Sequence, residues 1–201
     1  FNTIKSDNIN HPSLVGIIVN KPNDSNEILS KKQVLSLSNF ILESFKTALT
    51  NYGGTVNISS MIFNKNITSE NGGAVYNDSG VVNINGSSKN YASFTLNKAI
   101  NGGAVFNNGT LNMKNTVVGG RKIDYVRHID ETTGLESDVA VITSLGNIAN
   151  FGGGVYNANI ANISGVSFIY NTAEYDGGGL YNTGKLTLSS SVFEDNKAIN
   201  G

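Results

Sequence analysis

The sequence contains no cysteine and no tryptophan, and only two of its 201 residues are proline. Without cysteine, neither a disulfide framework nor a thiolate metal site is possible. Charged residues make up 14% of the chain, well below the usual share of a globular protein, and the formal net charge is −1. This balance excludes a broadly basic surface of the kind that binds nucleic acid. No apolar run reaches the length of a membrane-spanning helix, which predicts that this segment does not insert into a membrane.

Glycine and asparagine are present in excess. The chain has 23 glycines and 31 asparagines, and hydrophobic residues still account for 39% of it. The glycines occur in pairs rather than at every third position, which excludes collagen. The hydrophobic residues are regularly placed, which argues against a disordered chain. The composition therefore points to a folded repeat protein.

A glycine-led motif recurs four times along the chain. Its copies read Asn-Gly-Gly-Ala-Val-Tyr-Asn, Asn-Gly-Gly-Ala-Val-Phe-Asn, Phe-Gly-Gly-Gly-Val-Tyr-Asn and Asp-Gly-Gly-Gly-Leu-Tyr-Asn, and they close at Asn77, Asn107, Asn157 and Asn182. A degenerate copy without glycines closes at Asn51, so the successive spacings are 26, 30, 50 and 25 residues. We interpret the spacing of 50 as two periods of 25. The repeat unit is then about 25 residues long.

A second motif, Phe-x-x-Asn, keeps the same phase. Its asparagines are Asn66, Asn97, Asn171 and Asn196, and Ser144 to Asn147 takes the equivalent place with serine instead of phenylalanine. Between the two motifs lie pairs of apolar residues two positions apart: Val56/Ile58, Val82/Ile84, Leu111/Met113, Ala161/Ile163 and Leu186/Leu188. A spacing of two places both side chains on one face of a strand. Each unit therefore reads as three short strands separated by turns rich in asparagine and glycine.

Units of this size cannot bury an apolar face alone, so we predict that they coil and stack. The predicted fold class is all-β: a right-handed single-stranded parallel β-helix, a pectin-lyase-like solenoid of seven or eight coils. Stacking predicts one inner ladder of Val75, Val105, Val155 and Leu180, and a hydrogen-bonded ladder of the four asparagines that close the glycine-led motifs. The phenylalanines are expected to form a further inner ladder. The glycine pairs are expected to form a bend with no room for Cβ.

The predicted β-helix covers residues 34–201, with an irregular insertion at 119–143. Residues 1–33 fit the repeat poorly and are expected to be an irregular N-terminal coil or the end of a preceding region. The chain opens at Phe1 without an initiator methionine and stops inside a motif at Gly201. We therefore expect it to be a fragment of a longer chain.

The alternation of Gly-Gly-Ala-Val, at 72–75 and 102–105, with Phe-x-x-Asn resembles the repeats of the polymorphic outer membrane proteins of chlamydiae. Those proteins are autotransporter surface adhesins. The longer pattern at 101–113 resembles the adhesin-like proteins of methanogenic archaea. The resemblance implies an extracellular, cell-surface β-helical stalk or passenger, anchored by parts of the parent protein outside this segment. It implies no catalytic residue and no cofactor.

Residues 119–143 depart from the repeat. They lack asparagine, contain both arginines of the protein, and hold 8 of its 29 charged residues between positions 121 and 138. Insertions in solenoids often form binding loops. The candidate binding residues are Arg121, Lys122, Asp124, Arg127, His128, Asp130 and Glu131. Two interpretations stay open: a degenerate coil with a solvated loop and Val139 and Val141 in a strand, or a projecting loop that contacts a glycan or protein of a host or neighbouring cell.

An adhesin-like attachment role is the favoured function, and two alternatives are kept. The first is a β-helical polysaccharide lyase or hydrolase, because this fold also carries such enzymes. Its candidate groups are Glu174, Asp176, Glu194, Asp195 and the Arg127–His128 pair with Asp124 and Asp130. The second is a purely structural spacer in a surface layer or stalk. No catalytic residue and no metal ligand is assigned, since carboxylates in turns and charges on loops are ordinary surface features.

Overall fold

The structure is a computed structural model that describes residues 2–5, 16–19, 33–87 and 91–199. These residues form 24 β-strands, numbered β1 to β24 in chain order, and no helix. The described ranges accordingly offer no helix long and apolar enough to cross a membrane.

Three parallel sheets make up the body of the molecule. Sheet A contains β1 (Asn2–Lys5), β4 (Phe40–Glu43), β7 (Ile62–Asn64), β10 (Ala92–Thr95), β13 (Thr116–Gly119), β19 (Ser167–Ile169) and β23 (Val192–Glu194). Sheet B contains β2 (Ile17–Val19), β5 (Leu49–Asn51), β8 (Val75–Asn77), β11 (Val105–Asn107), β17 (Val155–Asn157) and β21 (Leu180–Asn182). Sheet C contains β3 (Val34–Ser38), β6 (Thr55–Ser59), β9 (Val81–Asn85), β12 (Thr110–Lys114), β18 (Ile160–Ser164) and β22 (Lys185–Ser189).

Each coil of the chain contributes one strand to sheet B, then one to sheet C, then one to sheet A. Within each sheet, a strand pairs in parallel with its equivalents in the coils before and after it. A small fourth sheet of β16 (Ile148–Ala149), β20 (Thr172–Ala173) and β24 (Lys197–Ala198) lies between sheets A and B along the chain. The predicted parallel β-helix is confirmed, while its right-handed sense stays a prediction.

The core is built from ladders of equivalent residues, as the in-phase repeat predicted. Val105 lies beside Val75 on one side and Val155 on the other, and Val155 lies beside Leu180. The apolar pairs of sheet C are inward and fully buried as far as Ile163. In sheet A the Phe63 and Phe94 rings stack with centroids 4.7 Å apart. Burying each such side chain stabilises the fold by roughly 1.5–3 kcal/mol.

Left-handed backbone residues, stacked from coil to coil, turn the chain at the corners. The first glycine of each glycine-led motif has φ between +62° and +71°. A Cβ on the second glycine would also clash with the neighbouring coil: at Gly103 it would lie 2.3 Å from the carbonyl oxygen of Gly153. The predicted tight bend is therefore confirmed. The residue before each Phe-x-x-Asn asparagine is also left-handed: Lys65, Leu96, Tyr170 and Asp195.

Two buried asparagine ladders follow the axis of the rod. In the predicted one, each Nδ2 donates to the Oδ1 of the next coil, from Asn51 to Asn77, Asn107, Asn157 and Asn182, over distances of 2.7–3.1 Å. The second, not predicted as a ladder, joins Asn66, Asn97, Asn147, Asn171 and Asn196 at 2.8–2.9 Å. These amides also bond to backbone groups at the corners, for example Asn97 Nδ2 to the carbonyl oxygen of Phe63. The buried amides of these two ladders are thereby hydrogen-bonded to their neighbours.

The interpretation of the 50-residue spacing as two periods is wrong. Asn107 and Asn157 are direct neighbours in sheet B, so one coil and an insertion separate them. Val118, not Ser144, takes the phenylalanine position, since it pairs with both Phe94 and Phe168. The asparagine of that coil is Asn147, which follows Val118 by 29 positions instead of the usual three, so the insertion is 26 residues long. Its length matches one period by coincidence.

The described part of residues 1–33 continues the same sheets. β1 pairs with β4 in sheet A, and β2 pairs with β5 in sheet B, both in parallel. Val19 of β2 is buried in the core. Residues 1, 6–15 and 20–32 lie outside the described ranges, so the prediction of an irregular N-terminal coil stays a prediction.

Candidate functional site

The insertion folds as a two-stranded antiparallel hairpin that stands outside the coil. Strands β14 (Arg121–Ile129) and β15 (Glu136–Ser144) pair along all nine residues, from Arg121 opposite Ser144 to Ile129 opposite Glu136. We call residues 121–144 the hairpin. The structure thus shows neither a degenerate coil nor an irregular loop. Val139 and Val141 are in a strand as expected, but they pair with Val126 and Asp124 rather than with a neighbouring coil.

Glycines on either side of the hairpin let the chain leave and re-enter the coil at one place. A Cβ on Gly119 would lie 1.9 Å from the carbonyl oxygen of Ile169, and one on Gly146 would lie 1.7 Å from that of Tyr170. Leu145 donates its backbone N–H to the carbonyl oxygen of Gly120 at 2.8 Å, which closes the base of the hairpin. We call this base, residues 119–120 and 145–146, the neck.

An ion pair connects the base of the hairpin to the second coil after its own, since β23 follows β19 in sheet A. The Arg121 guanidinium donates to the carboxylate of Glu194 on β23. This hydrogen bond and the charge of Glu194 raise the pKa of Arg121. Ser144 Oγ, at the other end of the hairpin, donates to the carbonyl oxygen of Tyr170 at 3.3 Å. Both contacts orient the hairpin at its base only.

The turn of the hairpin is organised around Asp130. Its Oδ1 accepts from the backbone N–H of Thr132 at 2.9 Å and of Thr133 at 2.8 Å. These hydrogen bonds lower the pKa of Asp130. Gly134 follows with φ +71°, a conformation that glycine adopts without strain, and leads the chain into β15. The local sequence therefore specifies the turn without help from the rod.

Both faces of the hairpin carry exposed apolar side chains. Residues directly opposite one another share a face, so Ile123, Ile142, Tyr125 and Ala140 lie on one side, and Val126 and Val139 lie on the other. Tyr125 is 71% exposed and Leu135, in the turn, is 70% exposed. In contrast, the inward apolar side chains of the inner coils, such as Val105 and Leu111, are fully buried. The hairpin thus exposes an apolar surface that the rod itself does not cover.

The predicted binding residues line this hairpin but do not converge on one point. Lys122 pairs with Asp124 at 3.0 Å on one face, and Arg127 pairs with Glu136 at 3.2 Å on the other. His128 lies opposite Ser137 and is exposed, and Glu131 is exposed in the turn. Two ion pairs, one on each face, therefore flank the apolar patches of the hairpin.

The constellation considered for an enzyme is not brought together. Arg127 and His128 are adjacent in a strand, so their side chains point to opposite faces. Of the carboxylates on the coils, Glu194 is paired with Arg121, and Asp195 accepts a hydrogen bond from Tyr170 that raises the pKa of that tyrosine. Within residues 2–5, 16–19, 33–87 and 91–199, no cluster of three or more His, Asp or Glu side chains could hold a metal ion.

Two segments of the chain, residues 60–78 and 165–183, match the model of the Chlamydia polymorphic membrane protein repeat. Each segment runs through a sheet A strand, a Phe-x-x-Asn asparagine, a glycine bend and a sheet B strand. The resemblance to chlamydial polymorphic membrane proteins is confirmed. The repeat is named for polymorphic membrane proteins of Chlamydia. No curated protein and no solved structure matches the chain.

Sequence reasoning located the segment that departs from the chlamydial repeat but missed its apolar character. The signal was present in the alternation of β14, where Ile123 and Tyr125 are two positions apart, and in Val139 and Val141 of β15. The turn signal at Asp130 and Gly134 lies between these two runs. Two runs of alternating apolar residues on either side of a turn signal are typical of a hairpin.

Proposed function

We propose that this chain is part of an extracellular, cell-surface adhesin-like protein whose hairpin attaches to a protein on a host or neighbouring cell. The rod is a rigid support in this proposal, and the hairpin is the contact element. The single observation that carries it is the exposed apolar surface of residues 121–144, which stands beside inner coils whose apolar ladders are buried. The ladders of the rod become exposed only in the last described coil, at Leu188 and Phe193. The chlamydial repeat supports the surface location.

An isolated two-stranded hairpin is only marginally stable in water, so an exposed apolar one has little structural value to the rod itself. Contiguous exposed apolar side chains of this kind mark interaction sites. Tyrosine and isoleucine surrounded by charged pairs, as around Tyr125 and Ile123, correspond to the apolar centre and polar rim of a protein interface. The proposal therefore favours a protein over a glycan for this surface.

The free edges of the hairpin provide a second mode of contact. Within the described chain, β14 and β15 form a sheet of only two strands, so each keeps one edge without a partner strand. An extended segment of another protein can add to such an edge through backbone hydrogen bonds. Side chains on both faces then supply specificity.

The test is a deletion that leaves the rod intact. Removing residues 120–145 joins Gly119 to Gly146 and restores a spacing of three between Val118 and Asn147. Gly146 then occupies the corner position where Lys65, Leu96 and Tyr170 have positive φ, so the coil can close. We expect the deleted protein to unfold at the same urea concentration as the parent but to lose binding to host cells.

A matched variant tests the hairpin without deleting it. Replacing Tyr125 by Ser is expected to weaken binding at least tenfold without changing rod stability, because Tyr125 contacts mainly solvent. Unchanged cell binding after both changes would contradict the proposal and favour a structural spacer. Release of new reducing or unsaturated ends from polysaccharide would contradict it in favour of an enzyme.

A further inference from the structure

A second ladder of aromatic rings follows the outer face of sheet B. Tyr76, Phe106, Tyr156 and Tyr181 occupy equivalent positions in β8, β11, β17 and β21. Their ring centroids are 5.4, 5.1 and 5.1 Å apart from one pair to the next. In the interior of this ladder, each ring face is occupied by the ring of the neighbouring coil. Stacked rings of this kind stabilise one another and cover the outer surface of the sheet.

The aromatic ladder stops at Tyr76. The equivalent residue of the preceding coil is Thr50, which pairs with Tyr76 in sheet B. Phe106 covers one face of the Tyr76 ring, with an angle of 9° between the two planes. On the other side, Tyr52 meets Tyr76 edge-on, with centroids 6.3 Å apart and an angle of 65°. The rung that would continue the stack is therefore absent.

A cleft of about 310 Å³ lies at the absent rung. Tyr76 and Tyr52 form its aromatic walls, and the buried Thr47 and Thr50 line it between them. Its remaining lining is polar and includes Asn71. The cleft therefore combines aromatic walls with several hydrogen-bonding groups, and it is more polar than most small-molecule sites, which favours a ligand rich in hydroxyl groups.

A charged pair stands at the rim of the cleft. Lys46 Nζ lies 2.7 Å from Glu70 Oε1, and the Glu70 side chain is 70% exposed. The Oδ1 of Asn71 accepts from Asn101 Nδ2 at 2.9 Å, which fixes the orientation of that amide. Burial, followed by the charge of Asp78, raises the pKa of Tyr76, so its hydroxyl is neutral at physiological pH. The rim thus offers donors and acceptors without a net charge.

We propose that the cleft at Thr50 binds one neutral pyranose ring of a glycan, stacked against Tyr76 in the place of the missing aromatic rung. A pyranose has an apolar C–H face and a periphery of hydroxyl groups, which matches an aromatic wall with a polar rim. Lys46, Glu70 and Asn71 are the groups that hydrogen-bond to its hydroxyls. An aromatic side chain of a protein would fit the wall but would form no hydrogen bond with these rim groups, whereas the hydroxyls of a sugar can both donate and accept there.

This site is independent of the hairpin. It lies between β5 and β8, whereas the hairpin leaves the rod after β13. The two proposals therefore fail separately: deletion of residues 120–145 leaves the cleft unchanged, and filling the cleft leaves the hairpin unchanged. A chain with both would contact a protein through one surface and a glycan through the other.

The experiment uses the whole chain and the methyl glycosides of glucose, galactose, mannose and N-acetylglucosamine. Binding is followed by NMR chemical shifts of the backbone amides around Tyr76 and Glu70. We expect at least one glycoside to bind with a Kd on the order of 1 mM, because a single sugar ring offers few atoms. No shift with any of the four at about 50 mM would overturn the proposal.

The decisive variant fills the cleft without weakening the rod. Thr50→Phe supplies the missing rung, so we expect it to abolish glycoside binding while stability stays equal or rises. Thr110→Phe is the matched control, since it makes the same change at an outward position of sheet C and should leave binding unchanged. Binding that survives Thr50→Phe, or is lost equally in Thr110→Phe, would overturn the proposal.

A third variant keeps the test valid if Thr50→Phe disturbs the coil. Glu70→Gln changes an exposed side chain and is expected to weaken glycoside binding at least fivefold without affecting unfolding. An unchanged affinity of Glu70→Gln for the glycosides would show that the rim does not contact the sugar, and it would contradict the proposal. Phenylalanine amide serves as the competing probe for an aromatic side chain of a protein. If it does not displace a bound glycoside, the result supports a glycan site. If it binds to the cleft while none of the four glycosides binds, the cleft is a protein site and the proposal is wrong.

Discussion

The rod and the hairpin of this chain obtain their order in opposite ways. In the rod, a residue such as Val105 lies between equivalents in the coils before and after it, and its side chain is fully buried. In the hairpin, Tyr125 has one partner, Ala140, and is largely exposed. The rod is therefore stabilised by stacking between coils, whereas the hairpin is stabilised by its own backbone pairing and turn. Apolar side chains are thus buried in the core of the rod but exposed on the surface of the hairpin.

Composition follows this division. Asparagine, which makes up 31 of 201 residues, is absent from positions 116 to 146. In the coils, an asparagine at a corner both donates to the next coil and satisfies a backbone carbonyl, as Asn97 does. An antiparallel hairpin has no equivalent residue above or below it, so an asparagine there would gain no such partner. The distribution of asparagine thus separates the rod from the hairpin.

The largest difference in stability between the rod and the hairpin is expected when an aromatic residue is replaced by alanine. Phe94 is fully buried and stacked on Phe63, so Phe94→Ala should lower the free energy of unfolding by about 3–5 kcal/mol. Tyr125→Ala removes a ring of similar size from the exposed hairpin and should change the stability of the rod by less than about 0.5 kcal/mol. Urea unfolding followed by circular dichroism measures both. Equal losses would mean that the hairpin belongs to the core.

The second-largest difference in stability is expected between alanine substitutions of buried asparagines and of asparagines on the outer face. Asn107 bonds to Asn77, Asn157 and the carbonyl oxygen of Ile160, all within 2.9 Å. Its replacement by alanine leaves buried groups without partners, and we expect a loss of about 3 kcal/mol.

The control for Asn107→Ala is Asn112→Ala. Asn112 belongs to a ladder on the outer face of sheet C, between Asn83 and Asn162, where water can replace each lost hydrogen bond. We expect a loss below about 1 kcal/mol in the same urea titration. An equal loss of unfolding free energy in Asn112→Ala and Asn107→Ala would show that burial is not the reason why the inner ladder stabilises the rod.

The smallest expected effect concerns pH and is confined to the hairpin turn. The hydrogen bonds from Thr132 and Thr133 lower the pKa of Asp130 in the folded state. The stability that they contribute is therefore present above the unfolded pKa of about 3.9 and is lost as the pH falls through the lower, folded pKa. The amide resonances of Thr132 and Thr133 should shift in that range, while those of the rod near Val105 stay unchanged.

Asp130→Asn provides the control for this titration. The amide oxygen of asparagine still accepts a hydrogen bond but does not titrate, so the turn should persist and the acid shift should disappear. A shift of the same size in Asp130→Asn would assign the pH dependence to another group.

The predictable parts of the fold are those that repeat, because residues at the same position of the motif take the same place in successive coils. Val75, Val105, Val155 and Leu180 share a place in the motif, and because parallel stacking keeps equivalent residues in register, their ladder followed directly. The insertion broke this logic. Its 26 residues resemble one period in length, and only spatial pairing shows that Val118 takes the place of a phenylalanine.

The candidate sites were less predictable for a different physical reason. The charged residues from Arg121 to Glu131 indicate that this segment departs from the repeat. Their partners depend on which strand lies opposite, as for Arg127 and Glu136, and this pairing is seen only in the structure. The repeat alignment places Thr50 before Asn51, where the other copies carry an aromatic residue before the closing asparagine. Only the structure shows that these rings stack on one another and that a cleft remains beside Thr50.

The neck makes the rod a natural display scaffold. The chain departs and returns through backbone positions that hydrogen-bond to each other, Gly120 and Leu145, while Gly120 also donates to Ile169 of the next coil. The coil consequently closes in the same way whatever is carried between those two positions. A foreign peptide or small domain with adjacent ends, grafted there in place of the native sequence, would be presented at a fixed height along the rod without disturbing a single neighbouring turn.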